Sequence, residues 1–323
     1  MSKFHYVTPD INGDFITCDW NEGDNHLADR QGLHLDKYVR GNLESQAYDA
    51  AINILEIPSS LNLKLTAGSD AGILMTLLYS SSQSSPSFRM RKNDYAQVRA
   101  FAELSFKFVD VVDDESIFSD IKPGSLIYLS NPGNPTCKCY SDIELLEVVK
   151  GNSESLFIID LAYIEFEDSF DLSIFEGYKN VVFFRTFSKF WGIAGARLGA
   201  IIYPLNSQLS PLYQTLNSKN LTRQHIALLN DLQTEKLKIV QIRNEEKIKL
   251  TEIGNIIKSK FDVNTSRAGN FIRFDCPNSE VKFELEGYFN DLLITVRDLS
   301  HLAEFENSLR FSYREKAYQN ILL

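Results

Sequence analysis

The segment from Val181 to Leu198 reads VVFFRTFSKFWGIAGARL, and it decides how the rest of the chain is interpreted. The apolar run Val181 to Phe184 is long enough for one buried strand. Polar residues follow at once, with Thr186 and Ser188 just ahead of Lys189 and small residues after it. A partly desolvated lysine amine at the exit of a buried strand can form a Schiff base.

The residues around Lys189 also suit a phosphate group. The guanidinium group of Arg197 is a charged donor of several hydrogen bonds, and the hydroxyls of Thr186 and Ser188 are neutral donors. A Schiff base and a phosphate site on one scaffold indicate pyridoxal 5'-phosphate (PLP). For an isolated Ser-Lys pair we would favour a solvated surface loop, but two further segments support the cofactor.

Those two segments are apolar strands that end in polar residues. Leu126 to Leu129 runs into an Asn-Pro-Gly-Asn-Pro turn, where Asn134 can orient its amide at a ligand or simply form the turn. Leu156 to Ile159 ends at Asp160, with Tyr163 close behind. A carboxylate placed there needs a cation, which is either a salt-bridge partner or a protonated ring nitrogen. Ligands of mostly parallel sheets bind at the carboxyl ends of strands, so we expect these exits to converge.

Two other positions are weaker candidates. The stretch NLKLTAGSDAG predicts a strand, a turn and a helix that begins near Ser69 or Asp70, and free backbone N–H groups at a helix start bind anions. Tyr95 could lie flat against an aromatic ligand, although ordinary packing is the alternative. The serine-rich run at 80–87 is expected to be a loop.

Composition limits the classes of protein. With 323 residues, 44% hydrophobic and 24% charged, the chain is expected to form a globular protein of two domains. The net charge of −10 disfavours a nucleic-acid or anionic-membrane surface. No apolar signal core or membrane-length apolar run occurs, so we expect a soluble, cytoplasmic protein.

No metal site is expected. The cysteines are too scattered for a disulfide framework or a zinc site, and we interpret Cys137 and Cys139 as reduced thiols. The five histidines are dispersed, with none at helical metal-pair spacing.

The pattern changes after about residue 205. Residues 39–205 carry the strand exits and form the predicted large, mostly parallel α/β domain. Residues 206–260 are typical of long amphipathic helices, and strands then alternate with helices as in an α+β domain, which includes Arg297 and Arg310. We expect 1–38 to be an amino-terminal arm and part of the small domain, which 206–323 completes.

These segments together resemble the histidinol-phosphate aminotransferase family of fold-type I PLP enzymes and its relative, threonine-phosphate decarboxylase. In chain order the matching motifs are CDWNEGDN, AGSDAG, NPGNPT, DLAYIEF, RTFSKFWGIAGARLG and TVRDLSHLAEFENSLRFS. The resemblance implies an α/β fold of the aspartate aminotransferase type, with a large PLP-binding domain and a smaller α+β domain. The chain departs from the motifs at Gly23, Ala71, Cys137 and Leu161.

The resemblance also implies catalytic roles. Lys189 would form the Schiff base and move a proton, and Asp160 would keep the pyridine nitrogen protonated. Tyr163 and Asn134 would hydrogen-bond the phenolic oxygen of the cofactor, and Tyr95 would stack on its ring. The cofactor phosphate would be surrounded by Ser69, Asp70, Thr186, Ser188 and Arg197.

The remaining implied roles concern substrate and subunits. Arg310 with Arg297 would hold the anionic tail of an amino acid or amino-phosphate substrate, and Asn21 of the amino-terminal motif would also contact substrate. Tyr38 would reach the cofactor phosphate of a partner subunit, which implies a homodimer with shared active sites.

Three functions stay open from the sequence. The first is an aminotransferase that moves an amino group between an amino acid or amine and a 2-oxo acid. The second shares the cofactor but removes CO2, as a threonine-phosphate-type decarboxylase would. The third is a non-catalytic PLP-fold protein kept for binding or regulation, against which the intact Lys189, Asp160 and Arg197 argue.

Overall fold

The computed structural model describes residues 42–83, 87–167, 169–215 and 221–323, together with the backbone of the short strand β1 (Ile16–Thr17). The predicted site residues Asn21 and Tyr38 lie outside the described residues.

The large sheet has seven strands in the order β2-β8-β7-β6-β5-β3-β4. Its strands are β2 (Leu61–Thr66), β3 (Phe88–Arg91), β4 (Val109–Val112), β5 (Leu126–Ser130), β6 (Leu156–Asp160), β7 (Val181–Thr186) and β8 (Gly199–Pro204). Every pairing among β3, β4, β5, β6 and β7 is parallel, whereas β8 is antiparallel to both β7 and β2. The predicted α/β class with a mostly parallel sheet is confirmed.

The central strands are apolar because both of their faces are covered. Every residue of β5, β6 and β7 is buried. Successive residues point to opposite faces, so Ile159 and Phe183 belong to one core and Ile158 and Val182 to the other. The helices of this part are α1 (Asn42–Leu55), α2 (Gly68–Ser82), α3 (Ala96–Ser105), α4 (Asp142–Gly151) and α5 (Ser210–Thr215).

The carboxy-terminal part is a smaller α+β unit with its own core of buried aliphatic and aromatic residues. The long helix α6 (Arg223–Lys260) spans both parts, because Leu229 and Leu232 pack in a core of the large sheet whereas Leu250 and Ile257 pack in the carboxy-terminal core. Helices α7 (Ser279–Asp291) and α8 (Glu315–Leu322) belong to the carboxy-terminal unit. Its strands are β9 (Asn264–Ala268), β10 (Phe271–Asp275), β11 (Ile294–Thr295), β12 (Arg297–Asp298) and β13 (Ser308–Ser312). The order β12-β13-β10-β9 is antiparallel throughout, and β11 instead pairs in parallel with β1.

Several predicted elements differ from the structure. The helix α2 continues to Ser82, into the run that was expected to be a loop. Among the described residues of 206–260, where long helices were expected, there are one six-residue helix, α5, and one 38-residue helix, α6. A capping box of Thr222 and His225 starts α6. Within the described ranges, no helix is both long and apolar enough to cross a membrane.

Candidate active site

The carboxyl ends of β5, β6 and β7 bring the predicted catalytic residues to one edge of the sheet. Lys189 is half-buried, and its Nζ lies 5.7 Å from the centre of the Tyr163 ring. The Asn134 side-chain amide donates to the Tyr163 hydroxyl at 3.2 Å. Asp160, the last residue of β6, pairs with Ser130 on β5. Three strand exits that are distant in sequence therefore lie at one edge of the sheet.

Asp160 is a buried carboxyl group with both oxygens engaged. Its Oδ2 accepts from the Tyr128 hydroxyl at 2.9 Å, and its Oδ1 accepts from the backbone N–H of Ala162 at 3.1 Å. Burial raises the pKa of Asp160 to about 7, and the nearby carboxylates of Asp70 and Asp94 act in the same direction. A cation placed against this carboxyl group would offset the cost of burying its charge.

A tight turn at the start of α2 lies against the strand β8. A Cβ atom added at Gly199 would stand 2.5 Å from both the carbonyl carbon of Gly68 and the backbone nitrogen of Ser69. Gly68 has a φ of +79°, where side chains are strained. Helix α2 begins at Gly68, next to the start predicted near Ser69 or Asp70, with Ala67 as its N-cap and no side-chain cap. Any larger residue at position 68 or 199 would therefore distort this turn.

Cationic and hydroxyl donors surround the same turn. The Arg197 guanidinium is more than half exposed and forms an ion pair with Asp70 at 3.2 Å. It also lies 2.8 Å from where a Gly68 Cβ would be. The hydroxyl of Thr186 donates to that of Ser188 at 2.9 Å, and both residues are buried.

The donor set fits the phosphate and ring of PLP. Free backbone N–H groups at the start of α2, two hydroxyls and an exposed guanidinium are the groups that bind a phosphate. Tyr95 precedes α3 with 40% of its surface exposed, and the charge of Asp70 acts on its phenol. Burial and the neighbouring charges of Asp70 and Asp160 raise the pKa of Tyr95, so its phenol stays neutral with an open face beside the site.

Two arginines of the small domain contact the turn that carries Asn134. Arg310 on β13 donates to the Asn134 side-chain oxygen at 2.7 Å, and Arg273 on β10 donates to the Pro135 carbonyl at 2.9 Å. Arg310 pairs in register with Arg273 on one side and with Arg297 on the other. The predicted pair Arg310 and Arg297 is thus brought together in a row of three arginines, of which Arg310 and Arg273 contact the turn.

Two residues of this site, Arg273 and Tyr128, were not predicted from the sequence. Arg273 interrupts an apolar strand, and its guanidinium forms a two-point ion pair with Asp275 at 2.7 and 2.9 Å. Tyr128 lies in the buried run of β5, where a hydroxyl needs a partner. A polar side chain inside an apolar strand indicates that it has a buried partner, but the sequence does not show which residue that partner is.

Cys137, one of the departures from the motifs, has a φ of +62°, a backbone conformation that favours glycine. Cys137, Cys139 and Cys276 are free thiols.

Comparison with known proteins gives a consistent result. The family model "Aminotransferase class I and II" matches residues 68–269. The chain is 29% identical to histidinol-phosphate aminotransferase of Christiangramia forsetii over 215 residues, covering 63% of this chain and 58% of that protein. For histidinol-phosphate aminotransferase 1 of Archaeoglobus fulgidus the identity is 30% over 207 residues, covering 61% and 59%. The chain therefore spans less than two thirds of these curated relatives.

Solved structures show the same fold. The histidinol-phosphate aminotransferase of Sinorhizobium meliloti in complex with pyridoxal-5'-phosphate matches with a TM-score of 0.73 and 17% identity, covering 88% of this chain and 80% of that one. The L-threonine-O-3-phosphate decarboxylase of Porphyromonas gingivalis matches with a TM-score of 0.72 and 16% identity, covering 89% and 91%. At these identities the likeness establishes the fold, which the two enzymes share.

Proposed function

The chain belongs to the class I and II aminotransferase family, and from this premise we propose that it is a PLP-dependent aminotransferase similar to histidinol-phosphate aminotransferases. It would move an amino group between an amino acid or amine and a 2-oxo acid. The observation that supports this proposal is the contact of Tyr163 with both Lys189 and Asn134, at the edge of the sheet where β6 ends in the buried carboxyl of Asp160.

The chain's own residues divide the work of binding and proton transfer. When bound, PLP supplies an electron sink for charge that develops at the α-carbon of the substrate. Lys189 would hold the cofactor through its amine and carry a proton to and from that carbon. Asp160 would hold a proton on the ring nitrogen, since its carboxyl is buried and needs a cationic partner. Asn134 and Tyr163 would contact the phenolic oxygen.

The phosphate and the ring face of the cofactor would be held by a separate group of residues. Glycine at 68 and 199 leaves room for the turn, and the open face of Tyr95 lies beside the ring position. The phosphate would be bound by the backbone of Ser69 and Asp70, the hydroxyls of Thr186 and Ser188, and the guanidinium of Arg197.

The substrate would carry an anionic group. Arg310 and Arg297 are register partners on β13 and β12, and Arg310 already contacts the turn that holds Asn134. A guanidinium pair binds a carboxylate or a phosphate in a two-point manner, so an amino acid or an amino-phosphate is the expected class of substrate.

The wider assembly belongs to the same proposal. We expect a cytoplasmic homodimer with shared active sites, in which Tyr38 reaches the cofactor phosphate of the partner subunit and Asn21 contacts substrate. The division into 1–38, 39–205 and 206–323 is likewise proposed, and it is supported by the end of the large sheet, whose last strand along the chain, β8, ends at Pro204.

Incubation of the PLP-loaded protein with candidate amino donors tests the reaction. We expect conversion of PLP to pyridoxamine phosphate, followed by absorbance, with no release of CO2. Release of CO2 with the aldehyde cofactor retained would select the decarboxylase instead. Stable PLP binding with neither product across amino acids and amino-phosphates would favour the non-catalytic alternative.

A further inference from the structure

A phenol lies in the middle of the apolar core behind the site. Tyr128, on the central strand β5, has no solvent-exposed surface and belongs to the same core as Ile158, Val182 and Phe184. A hydroxyl buried among such residues costs free energy unless it forms a hydrogen bond. The Tyr128 hydroxyl donates to Oδ2 of Asp160 at 2.9 Å, which joins the core directly to the candidate active site.

This hydrogen bond and a second one fix the Asp160 carboxylate. Oδ1 accepts from the N–H of Ala162 while Oδ2 accepts from Tyr128, so rotation of the carboxylate plane would break one bond or the other. An ionised carboxylate has about four acceptor positions, so capacity remains for a donor in the site. Burial raises the pKa of Tyr128 well above its ordinary range, and its phenol is therefore a donor at neutral pH.

The neighbouring charges oppose ionisation of Asp160. Asp70 on α2 and Asp94 beyond β3 are carboxylates that raise the pKa of Asp160. The charge of Asp160 in turn raises the pKa of the Tyr95 phenol. The hydrogen bonds from Tyr128 and from the Ala162 backbone act in the opposite direction. Tyr128 is thus the side-chain donor that favours the charged form of this carboxyl group.

We propose that Tyr128 is a positioning residue whose hydroxyl holds the Asp160 carboxylate in one orientation and keeps it ionised, so that a proton resides on the ring nitrogen of the bound cofactor. Its effect on the cofactor rests on the proposed function, whereas its effect on Asp160 does not.

Tyr128→Phe tests this assignment because it removes a single oxygen. Tyr213→Phe is the matched control, since Tyr213 is also fully buried in the same core and its hydroxyl bonds to Thr76 at 2.9 Å, away from the site. Each protein is loaded with PLP labelled with 15N at the ring nitrogen, and its 15N chemical shift is measured at neutral pH. We expect the shift to move toward that of neutral pyridine in Tyr128→Phe and to stay at the wild-type value in Tyr213→Phe. Equal shifts in all three proteins would overturn the proposal.

A second measurement needs no cofactor. Carboxyl 13C NMR of the PLP-free chain follows the titration of Asp160, whose resonance is assigned by its absence in Asp160→Asn. A hydrogen bond to a charged group contributes about 1.5 to 3 kcal/mol, so the midpoint should rise by about one pH unit or more in Tyr128→Phe. An unchanged midpoint would overturn the proposal even if the variant bound no PLP. Failure of the wild type to bind PLP would remove the proposed function, and this titration would still decide whether Tyr128 controls Asp160.

Discussion

Without the cofactor, Asp160 is a buried carboxyl group whose protonation is coupled to folding. Burial raises its pKa from 3.8 to about 7 in the folded chain. In the unfolded chain the carboxyl titrates near its ordinary value, so with rising pH the unfolded state loses its proton first. The stability that this group contributes is therefore fully present below about pH 4 and is lost as the pH rises through about 7.

The size of this loss follows from the shift. One pKa unit corresponds to about 1.4 kcal/mol, so a rise of about three units sets an upper limit of about 4 kcal/mol. This stability is lost between about pH 4 and pH 7, and about one third of it is already lost at pH 5. About 2 to 3 kcal/mol therefore remains to be lost between pH 5 and pH 8.

Urea unfolding of the PLP-free chain at pH 5, 6, 7 and 8 measures this loss against Asp160→Asn. The amide keeps the shape of the side chain but does not titrate, so subtraction removes the contributions of all other groups. We expect the free energy of unfolding of the wild type to fall by about 2 to 3 kcal/mol relative to the variant over this range. Parallel pH profiles would refute the assignment of Asp160 as a buried carboxyl that awaits a cation.

Three further predictions concern the turn at the start of α2 and the row of Arg273, Arg310 and Arg297. Gly199→Ala places a Cβ 2.5 Å from the Ser69 nitrogen, so PLP affinity should fall by at least about tenfold in a fluorescence titration, whereas Gly195→Ala, with open space around its Cβ, should bind normally. Equal affinities would contradict the packing argument. Arg310→Ala should raise KM for the amino donor by about tenfold or more with PLP binding retained, because a charged contact to the substrate is lost; an unchanged KM would exclude this role. Arg273→Lys cannot keep both bonds of its two-point ion pair and should lower Tm by several degrees in calorimetry, and an unchanged Tm would show that the pair adds no stability.

Much of the large domain could be predicted because its central strands are continuous apolar runs. Val181 to Phe184 and Leu156 to Ile159 predicted strands that the structure extends by one or two polar residues, to Thr186 and Asp160. A parallel arrangement of these strands predicts that Asn134, Asp160 and Lys189 lie at one edge of the sheet.

The missing parts depend on contacts between distant segments. The strand β4 (Val109–Val112) lies at the sheet edge with no fully buried residue, so its sequence has no continuous apolar signal. The stretch around Val296 divides into β11, which pairs with β1, and β12, which pairs with β13. The secondary-structure propensity of a short segment does not indicate which distant strand it pairs with.

The same limit applies within the site. The hydrogen bond from Tyr128 to Asp160 joins two strands, and the contact of Arg273 with Pro135 joins two domains. Neither pair has a sequence spacing that would have predicted it. The roles of Asn21 and Tyr38 stay predictions because they lie outside the described residues.

Borohydride treatment of the PLP-loaded protein tests the central claim most directly. Reduction should shift the visible absorbance, and mass spectrometry of the digested protein should find the added mass on Lys189, with Lys189→Ala showing no such label. A label on another lysine, or a wild-type protein that takes up no PLP, would contradict the claim that the amine of Lys189 holds the cofactor opposite Asp160.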